Sequence, residues 1–396
     1  MSSEFHFKKS ITMIKGYLLK LLWVALAWVD IGASIALSQH SNAPKVTLQL
    51  LPGPNNPRNS EGDFIELKDG RILYIYSRFT GSSSSDFGSS DLAARWSSDG
   101  GQSWTAQDKI VVKNEAATNV MSVSLLRLKS GKIALFYARK NSIADCIPMM
   151  RISEDEGETW SEPVACITDQ PGYYVLNNAR VIQLPSGRIL VPVALHNTEA
   201  KGLTFEELER KFNNYGILYC YYSDDEGKNW KRSNRVDIPE SIMAQEPGLI
   251  ELKDGTIWMY VRTDAGIQYV ASSRNKGKNW SPARPSNITS PLSPATIIRD
   301  PNTGNLVLIW NNYGIMGVKY GKRTPFNVAI SDDEGLTWKN IKTLHDNPDG
   351  HYCYTAARFL KNGNLLLSYC AGERSKGTGL SITNITLIHP TWLYEK

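Results

Sequence analysis

The sequence of 396 residues is 41% hydrophobic and contains 11 tryptophans and 18 tyrosines, enough large side chains for a substantial core. Its formal net charge is only +5, without a dense basic cluster in the body of the chain, which argues against a nucleic-acid partner and is compatible with an anionic small substrate. The cysteines are odd in number and lack metal-ligand spacing, so we expect no disulfide framework and no metal, but small buried side chains at Cys146, Cys166, Cys220, Cys353 and Cys370.

The first forty residues differ in composition from the rest. Three lysines precede an apolar stretch at residues 17–29, and small residues at positions 36 and 38 fit a cleavage site. We predict a signal peptide over residues 1–38 and a secreted or periplasmic protein. An uncleaved membrane anchor is the alternative, disfavoured because Asp30 interrupts the apolar run before the roughly 20 residues that a span needs. We expect no further integral membrane segment.

Residues 44–396 are predicted to form one domain from two interleaved repeats. The first repeat, S-x-D-x-G-x-x-W, occurs at residues 97–104, 153–160, 223–230, 273–280 and 331–338, with Asn275 in place of the aspartate in the fourth copy. Aspartate followed two residues later by glycine is typical of a tight turn, because the carboxylate accepts backbone N–H groups while glycine adopts a positive φ. Each copy therefore predicts the tip of an outer hairpin, anchored by its tryptophan.

The second repeat is an apolar stretch, a polar turn closed by glycine, and a β-rich run. It occurs at residues 66–74, 127–135, 183–191, 251–259, 298–308 and 359–367. Six such inner hairpins and five outer ones predict an all-β, six-bladed β-propeller. The last blade lacks an outer hairpin of its own, so we expect a strand at residues 44–51 to complete it.

The segments that enter the inner hairpins should converge at the central axis. They lie near residues 58–63, 117–124, 173–180, 244–248, 290–296 and 350–357. Two longer insertions interrupt the regular spacing of the repeats. One is a Ser/Gly-rich loop at 77–92 that contains Asp86, and the other is residues 200–215, which include a stretch with helical spacing at 205–212. Loops on a rigid scaffold often carry functional residues.

The Asp-box repeats on a six-bladed plan resemble the sialidase superfamily over nearly the whole chain after residue 44. The resemblance implies a retaining exo-glycosidase that hydrolyses a terminal acidic 2-keto sugar, such as sialic acid or a related ulosonic acid, from a glycan or oligosaccharide. It implies a tyrosyl intermediate and no cofactor, and leaves the oligomeric state open. Because Asp boxes also occur outside sialidases, the activity has to be argued from individual positions.

Tyr354 keeps the spacing of the family's nucleophilic tyrosine to the following L-x-x-G hairpin. A neutral phenol suits a substrate with a carboxylate on its anomeric carbon, because a carboxylate nucleophile would be repelled. Glu246 precedes an I-E-L-K-D-G hairpin as the family's catalytic glutamate does, which implies that it is the base for Tyr354. Arg262, at the end of the next strand, matches an arginine that grips the substrate carboxylate.

Two further positions resemble the family pattern. Arg323 lies upstream of the last Asp box, where the family has another carboxylate-binding arginine. Asp86 precedes the first Asp box at the spacing of the family's acid/base aspartate, which would protonate the leaving oxygen and later activate water.

One position departs from the family. Where sialidases have the first arginine of the triad, in an R-I-P segment, this chain has Ser60-Glu-Gly62. Either Arg58 or Arg78 supplies the guanidinium from a different backbone position, or Glu61 faces the pocket, where it would oppose a substrate carboxylate unless it meets a hydroxyl or an amine.

Asn178 and Arg180 are predicted to lie on another inner strand, and either to bind sugar hydroxyls or to make structural hydrogen bonds. Two rival functions keep the propeller. One is a hydrolase or lyase for a different polysaccharide, with Glu61 and either Glu246 or Asp86 as its carboxylates. The other is a non-catalytic glycan-binding propeller.

Overall fold

The computed structural model describes residues 42–196, 212–314 and 321–395. The predicted signal peptide, and all but the last residue of the predicted helical stretch at 205–212, lie outside these residues. Within them the fold is all-β, as expected, and no helix is both long and apolar enough to cross a membrane.

The strands follow one another in short antiparallel groups. The N-terminal strand is β1 (Lys45–Leu50), and the first group is β2 (Asn59–Glu66), β3 (Ile72–Phe79), β4 (Ser90–Ser97) and β5 (Lys109–Val112). The next two groups are β6 (Asn119–Arg127), β7 (Ile133–Ser142), β8 (Asp145–Ser153) and β9 (Val164–Ala165), then β10 (Tyr173–Val175), β11 (Ile182–Gln183), β12 (Ile189–His196), β13 (Ile217–Ser223) and β14 (Lys231–Arg232).

Three more groups complete the chain. They are β15 (Ala244–Glu251), β16 (Ile257–Thr263), β17 (Ile267–Ser273) and β18 (Arg284–Thr289), then β19 (Thr296–Arg299), β20 (Leu306–Trp310), β21 (Phe326–Ser331) and β22 (Lys339–His345). The last are β23 (Gly350–Phe359), β24 (Leu365–Glu373) and β25 (Thr383–Ile388), followed by a short helix, α1 (Pro390–Tyr394).

The sheet order follows the repeats. Three groups are separate four-stranded sheets, whereas a parallel contact between β8 and β10 joins the second and third groups into one larger sheet. The last sheet has the order β1-β25-β24-β23, so its outer strand comes from the beginning of the chain, as predicted. Both ends of the domain are thereby held in one set of backbone hydrogen bonds.

The Asp boxes form the turns between the last two strands of five groups, as the sequence predicts. In the first box, Ser97 Oγ lies 2.8 Å from Asp99 Oδ1 and accepts the N–H of Gly101 at 2.9 Å. Asp99 Oδ1 also accepts the N–H of Ser103 at 2.9 Å. The other boxes repeat the serine-to-glycine contact, which makes each turn a closed local unit.

A shared irregularity at the innermost strands positions the functional site. In β2, β6, β15 and β23 the pairing register shifts by a β-bulge. Each bulge holds one residue in the left-handed region that favours glycine: Glu61 (φ 53°), Ser122 (φ 63°), Glu246 (φ 44°) and Tyr354 (φ 55°). Such conformations persist in non-glycine residues only where surrounding packing enforces them, and they redirect the side chain.

Two expectations need correction. The segment around residues 177–180 was expected to be an inner strand, but it lies between β10 and β11 outside any strand, and Ala179 there also has a positive φ of 54°. The insertion at 77–92 is shorter than expected, because β3 and β4 extend into it from both sides. All five cysteines are free and buried, as predicted.

Candidate active site

Four bulged strands direct their left-handed residues into one pocket of about 460 Å³. Glu61, Ser122, Glu246 and Tyr354 all line it, although they are far apart in sequence. Asp86, Arg262 and Arg323 line the same pocket. The structure therefore brings together six residues that the sequence suggested for the site, with Ser122 added by the fold.

The centre of the pocket is a tyrosine–glutamate pair. The hydroxyl of Tyr354 donates to Glu246 Oε1 at 3.3 Å, while Arg262 Nη1 lies 2.6 Å from Glu246 Oε2. Burial and the neighbouring carboxylate of Glu246 raise the pKa of Tyr354 above its usual value, so the phenol is neutral. Glu246 is placed to accept the phenolic proton when a bond to oxygen forms.

Arg323 approaches the same tyrosine from another direction. Its guanidinium carbon lies 5.2 Å from the centre of the Tyr354 ring, and a backbone bridge to His351 ties it to β23. Arg323 Nη1 and Arg262 Nε are buried without a hydrogen-bond partner among the described residues. Two guanidinium groups with unused donors beside a phenol can bind an anion, because buried donors without partners cost free energy that a bound carboxylate would recover.

Asp86 stands at the pocket entrance on the loop between β3 and β4, with 52% of its side chain exposed. Arg58 Nη1 lies 2.5 Å from Asp86 Oδ1, and Lys140 donates to the backbone oxygen of Asp86 at 2.6 Å. Desolvation opposes the charged form, but Arg58 and then Lys140 outweigh it and lower the pKa of Asp86 to about 2. Asp86 is thus an anion in the free protein.

Glu61 lies in the segment where the family pattern has an arginine, and its side chain faces the pocket. Its side chain is only 5% exposed, and Arg58 Nη2 lies 3.3 Å from Oε1. Oε2 is buried and has no hydrogen-bond partner within the described part of the chain. Burial raises the pKa of Glu61 to about 7, with Arg58 opposing the shift and Asp86 and Glu246 adding to it.

Arg58 and Arg78 were the two candidates for the missing arginine, and neither lines the pocket. Arg58 is fully buried behind Asp86 and Glu61, and its Nε also donates to Ser60 Oγ at 2.8 Å. Arg78 points away and pairs with Asp108 at 3.1 Å. Arg58 therefore lies outside the pocket lining and affects the pocket through its ion pairs with Asp86 and Glu61.

Asn178 and Arg180 also lie outside the pocket lining. Asn178 Nδ2 donates to the backbone oxygens of Gly62 at 2.9 Å and Tyr354 at 3.1 Å, so it links two of the bulges. Arg180 donates to Tyr260 Oη at 3.0 Å and to the backbone oxygen of Ala295 at 2.7 Å. Of the two alternatives, the geometry shows structural hydrogen bonds for both side chains.

Lys140 is the main site residue that the sequence did not identify. Its ammonium group lies 4.8 Å from the ring centre of Phe87 and 5.6 Å from that of Tyr173, and all three line the pocket. The available signal was its place near the end of an inner hairpin, two residues beyond the position that Arg262 occupies in its own hairpin. Within the ranges that the structure describes, no group of three or more His, Cys, Asp or Glu side chains could hold a metal ion.

Fold, repeats and site together define a protein of the BNR-repeat class. The family model described as "BNR repeat-like domain" matches residues 79–367, most of the chain. The chain therefore belongs to this family, within the sialidase superfamily that its Asp boxes predicted.

Curated relatives carry sialidase names. The chain is 28% identical over 297 residues to a sialidase of Paraclostridium sordellii, covering 68% of this chain and 66% of that protein. It is 29% identical over 231 residues to a sialidase of Bacteroides fragilis, covering 55% of this chain and 38% of that one. The matches thus span between about a third and two thirds of these relatives' own lengths.

A solved structure shows the same fold. The intramolecular trans-sialidase from Ruminococcus gnavus superimposes with a TM-score of 0.68 at 15% identity, covering 88% of this chain and 98% of that chain. At this identity the likeness concerns the fold alone.

Proposed function

We propose that the protein is a sialidase-like retaining exo-glycosidase that hydrolyses a terminal 2-keto acid sugar from glycans. The observation that carries the proposal is the 3.3 Å contact between the Tyr354 hydroxyl and Glu246, in a pocket that also presents Arg262 and Arg323. A phenol paired with a carboxylate suits an anomeric carbon that bears its own carboxylate, since a neutral nucleophile is not repelled. The names of the curated relatives support the same reaction class.

In the first step, the oxygen of Tyr354 bonds to the anomeric carbon while Glu246 accepts the phenolic proton. The bond to the leaving alcohol breaks, and Asp86 supplies the proton that the alcohol oxygen needs. Arg58 keeps Asp86 ionised in the free protein, so this step requires the pKa of Asp86 to rise when the leaving group of the substrate covers its exposed carboxyl.

In the second step, Asp86 takes a proton from water as the water oxygen attacks the anomeric carbon. The bond to Tyr354 breaks, and the phenol recovers its proton from Glu246. Two displacements at one carbon return the original configuration.

We also propose that the sheets surround the pocket as the six blades of a propeller, in a protein that is secreted or periplasmic. Contacts between consecutive innermost strands support this arrangement: Asp63 on β2 accepts the N–H of Leu125 on β6 at 2.8 Å, and Thr296 on β19 donates to the backbone oxygen of Thr355 on β23 at 2.8 Å. The basic and apolar character of residues 1–38 supports the location.

The test is hydrolysis of a fluorogenic 2-α-sialoside beside neutral and uronic-acid glycosides. Release from the sialoside, with the α-anomer as the first product detected by NMR, would support the proposal. Turnover of a glycoside without an anomeric carboxylate would favour the rival hydrolase, and binding of glycans without turnover would favour the lectin-like rival. Mass spectrometry after reaction with a 2,3-difluorinated sialic acid should find the sugar on Tyr354. A 2,7-anhydro product would place the reaction with the leech intramolecular trans-sialidase, whose structure holds that compound.

A further inference from the structure

Glu61 is a buried carboxylate that the proposed reaction does not use. It stands at a bulge that matches those of Glu246 and Tyr354, so the fold directs its side chain to the same place. One oxygen is held by Arg58 and the other is buried without a partner among the described residues. An orphaned buried oxygen carries a desolvation cost that a ligand can remove.

The carboxylates around Glu61 make a further negative charge in the pocket energetically costly. Seven titratable or charged groups lie near Glu61. Two are outside the strands, Arg58 before β2 and Asp86 in the loop between β3 and β4, and the others are Lys140 on β7, Tyr173 on β10, Glu246 on β15, Tyr354 on β23 and Cys370 on β24. Arg58 is already shared between two carboxylates, Glu61 and Asp86. A substrate carboxylate placed on Arg262 and Arg323 would add a fourth anion to Glu61, Asp86 and Glu246.

We propose that Glu61 takes up a proton when an acidic sugar binds, and that its protonated carboxyl donates a hydrogen bond from Oε2 to the substrate carboxylate. The inference rests on the proposed function, because it requires an acidic sugar on Arg262 and Arg323. Glu61 is then a substrate-binding residue. It offers a neutral hydrogen-bond donor at the position where the family pattern has the permanent positive charge of an arginine. The proton comes from solvent, and no covalent bond other than O–H forms or breaks.

Binding of the acidic sugar should weaken as the pH rises. Burial holds the pKa of the free Glu61 near 7, and the bound carboxylate raises it further. Binding is therefore strongest below pH 7 and weakens as the pH rises above it, because each unit costs about a tenfold loss of the protonated form. At pH 7, about half of the free molecules must take up a proton on binding, which gives roughly 0.5 proton per ligand.

The experiment is calorimetry of the full chain with 2-deoxy-2,3-didehydro-N-acetylneuraminic acid, a carboxylated sugar that resists hydrolysis. It has no leaving group to cover Asp86, so Asp86 stays ionised and does not contribute to the proton count. Titrations at pH 7 in buffers with different ionisation enthalpies count the protons taken up. We expect about 0.5 for the wild type, and a dissociation constant that rises about tenfold between pH 7.5 and 8.5. Since this count needs no variant, it does not depend on any variant's folding.

Glu61→Gln tests the assignment, because its amide donates a hydrogen bond at every pH. We expect proton uptake near zero and a dissociation constant that is flat up to pH 8.5. The matched control is Glu154→Gln, an exposed carboxylate outside the pocket, which should keep the wild-type proton count. Thermal unfolding of each variant verifies that it is folded.

Binding by the wild type without proton uptake would overturn the inference and leave the acidic-sugar site intact. Uptake that persists in Glu61→Gln would also overturn it, by assigning the proton to another group. The absence of binding from pH 5 to 8.5 would overturn the proposed site and the inference together, and is readily distinguished from the other two results.

Discussion

Removing the hydroxyl of Tyr354 separates its chemical role from its structural role. The side chain is 7% exposed, and in Tyr354→Phe the ring retains its packing while a single hydrogen bond, of 3.3 Å to Glu246, is lost. Glu246 keeps its 2.6 Å ion pair with Arg262, so no carboxylate is left without a partner. We therefore expect a stability loss of only about 0.5–1.5 kcal/mol.

The effect on catalysis should be far larger. If Tyr354 forms the bond to the anomeric carbon, the loss of its oxygen should lower kcat for a fluorogenic 2-α-sialoside by about 10³-fold or more, as when a member of a catalytic unit is removed. The measurement is initial-rate kinetics on both proteins, with urea unfolding to check stability.

Tyr74→Phe is the matched control. Tyr74 is fully buried, and its hydroxyl makes a single 2.6 Å contact, to Ser368 Oγ, outside the pocket. We expect a similar stability loss with kcat unchanged. The reasoning is refuted if Tyr354→Phe keeps kcat within tenfold of the wild type, or if Tyr74→Phe loses activity to the same extent.

Other predictions address the anion site, the packing and the turns. Arg323→Met should raise KM for carboxylated sugars by about 10- to 100-fold, and an equal loss on a neutral glycoside would contradict its assigned role. Trp230→Ala should lower the free energy of unfolding by about 2–3 kcal/mol with kcat unchanged, because its ring packs edge-on against Phe136 at 6.4 Å. Hydrogen bonds from the side chain four residues later lower the pKa of four Asp-box carboxylates to about 2: Asp99, Asp155, Asp225 and Asp333. Their stabilising contribution should be complete above about pH 4 and vanish as the pH falls through 2, and a Tm that is constant from pH 5 to 2 would argue against it.

The turns and the strands beside them could be predicted from local sequence patterns. Each Asp box is decided by contacts within five residues, such as Ser153 Oγ to the N–H of Gly157 at 2.7 Å, so it forms wherever its residues occur. The alternation of inner and outer turns then gave the hairpins and the strand from the N-terminus that completes the last sheet. The fixed spacing from Tyr354, Glu246 and Glu61 to the next glycine turn placed all three at equivalent points.

The directions of the long cationic side chains depend on contacts that form only in the folded chain, so the sequence could not predict them. From the sequence, Arg58 and Arg78 were equal candidates for the missing arginine of the triad. In the structure Arg58 pairs with Glu61 and with Asp86 on a separate loop, and Arg78 pairs with Asp108. Arg180 turns to Tyr260, about 80 residues away in sequence, and not to the pocket. A flexible side chain takes the best available buried partner, and that partner is fixed by sheets that meet only in the folded chain.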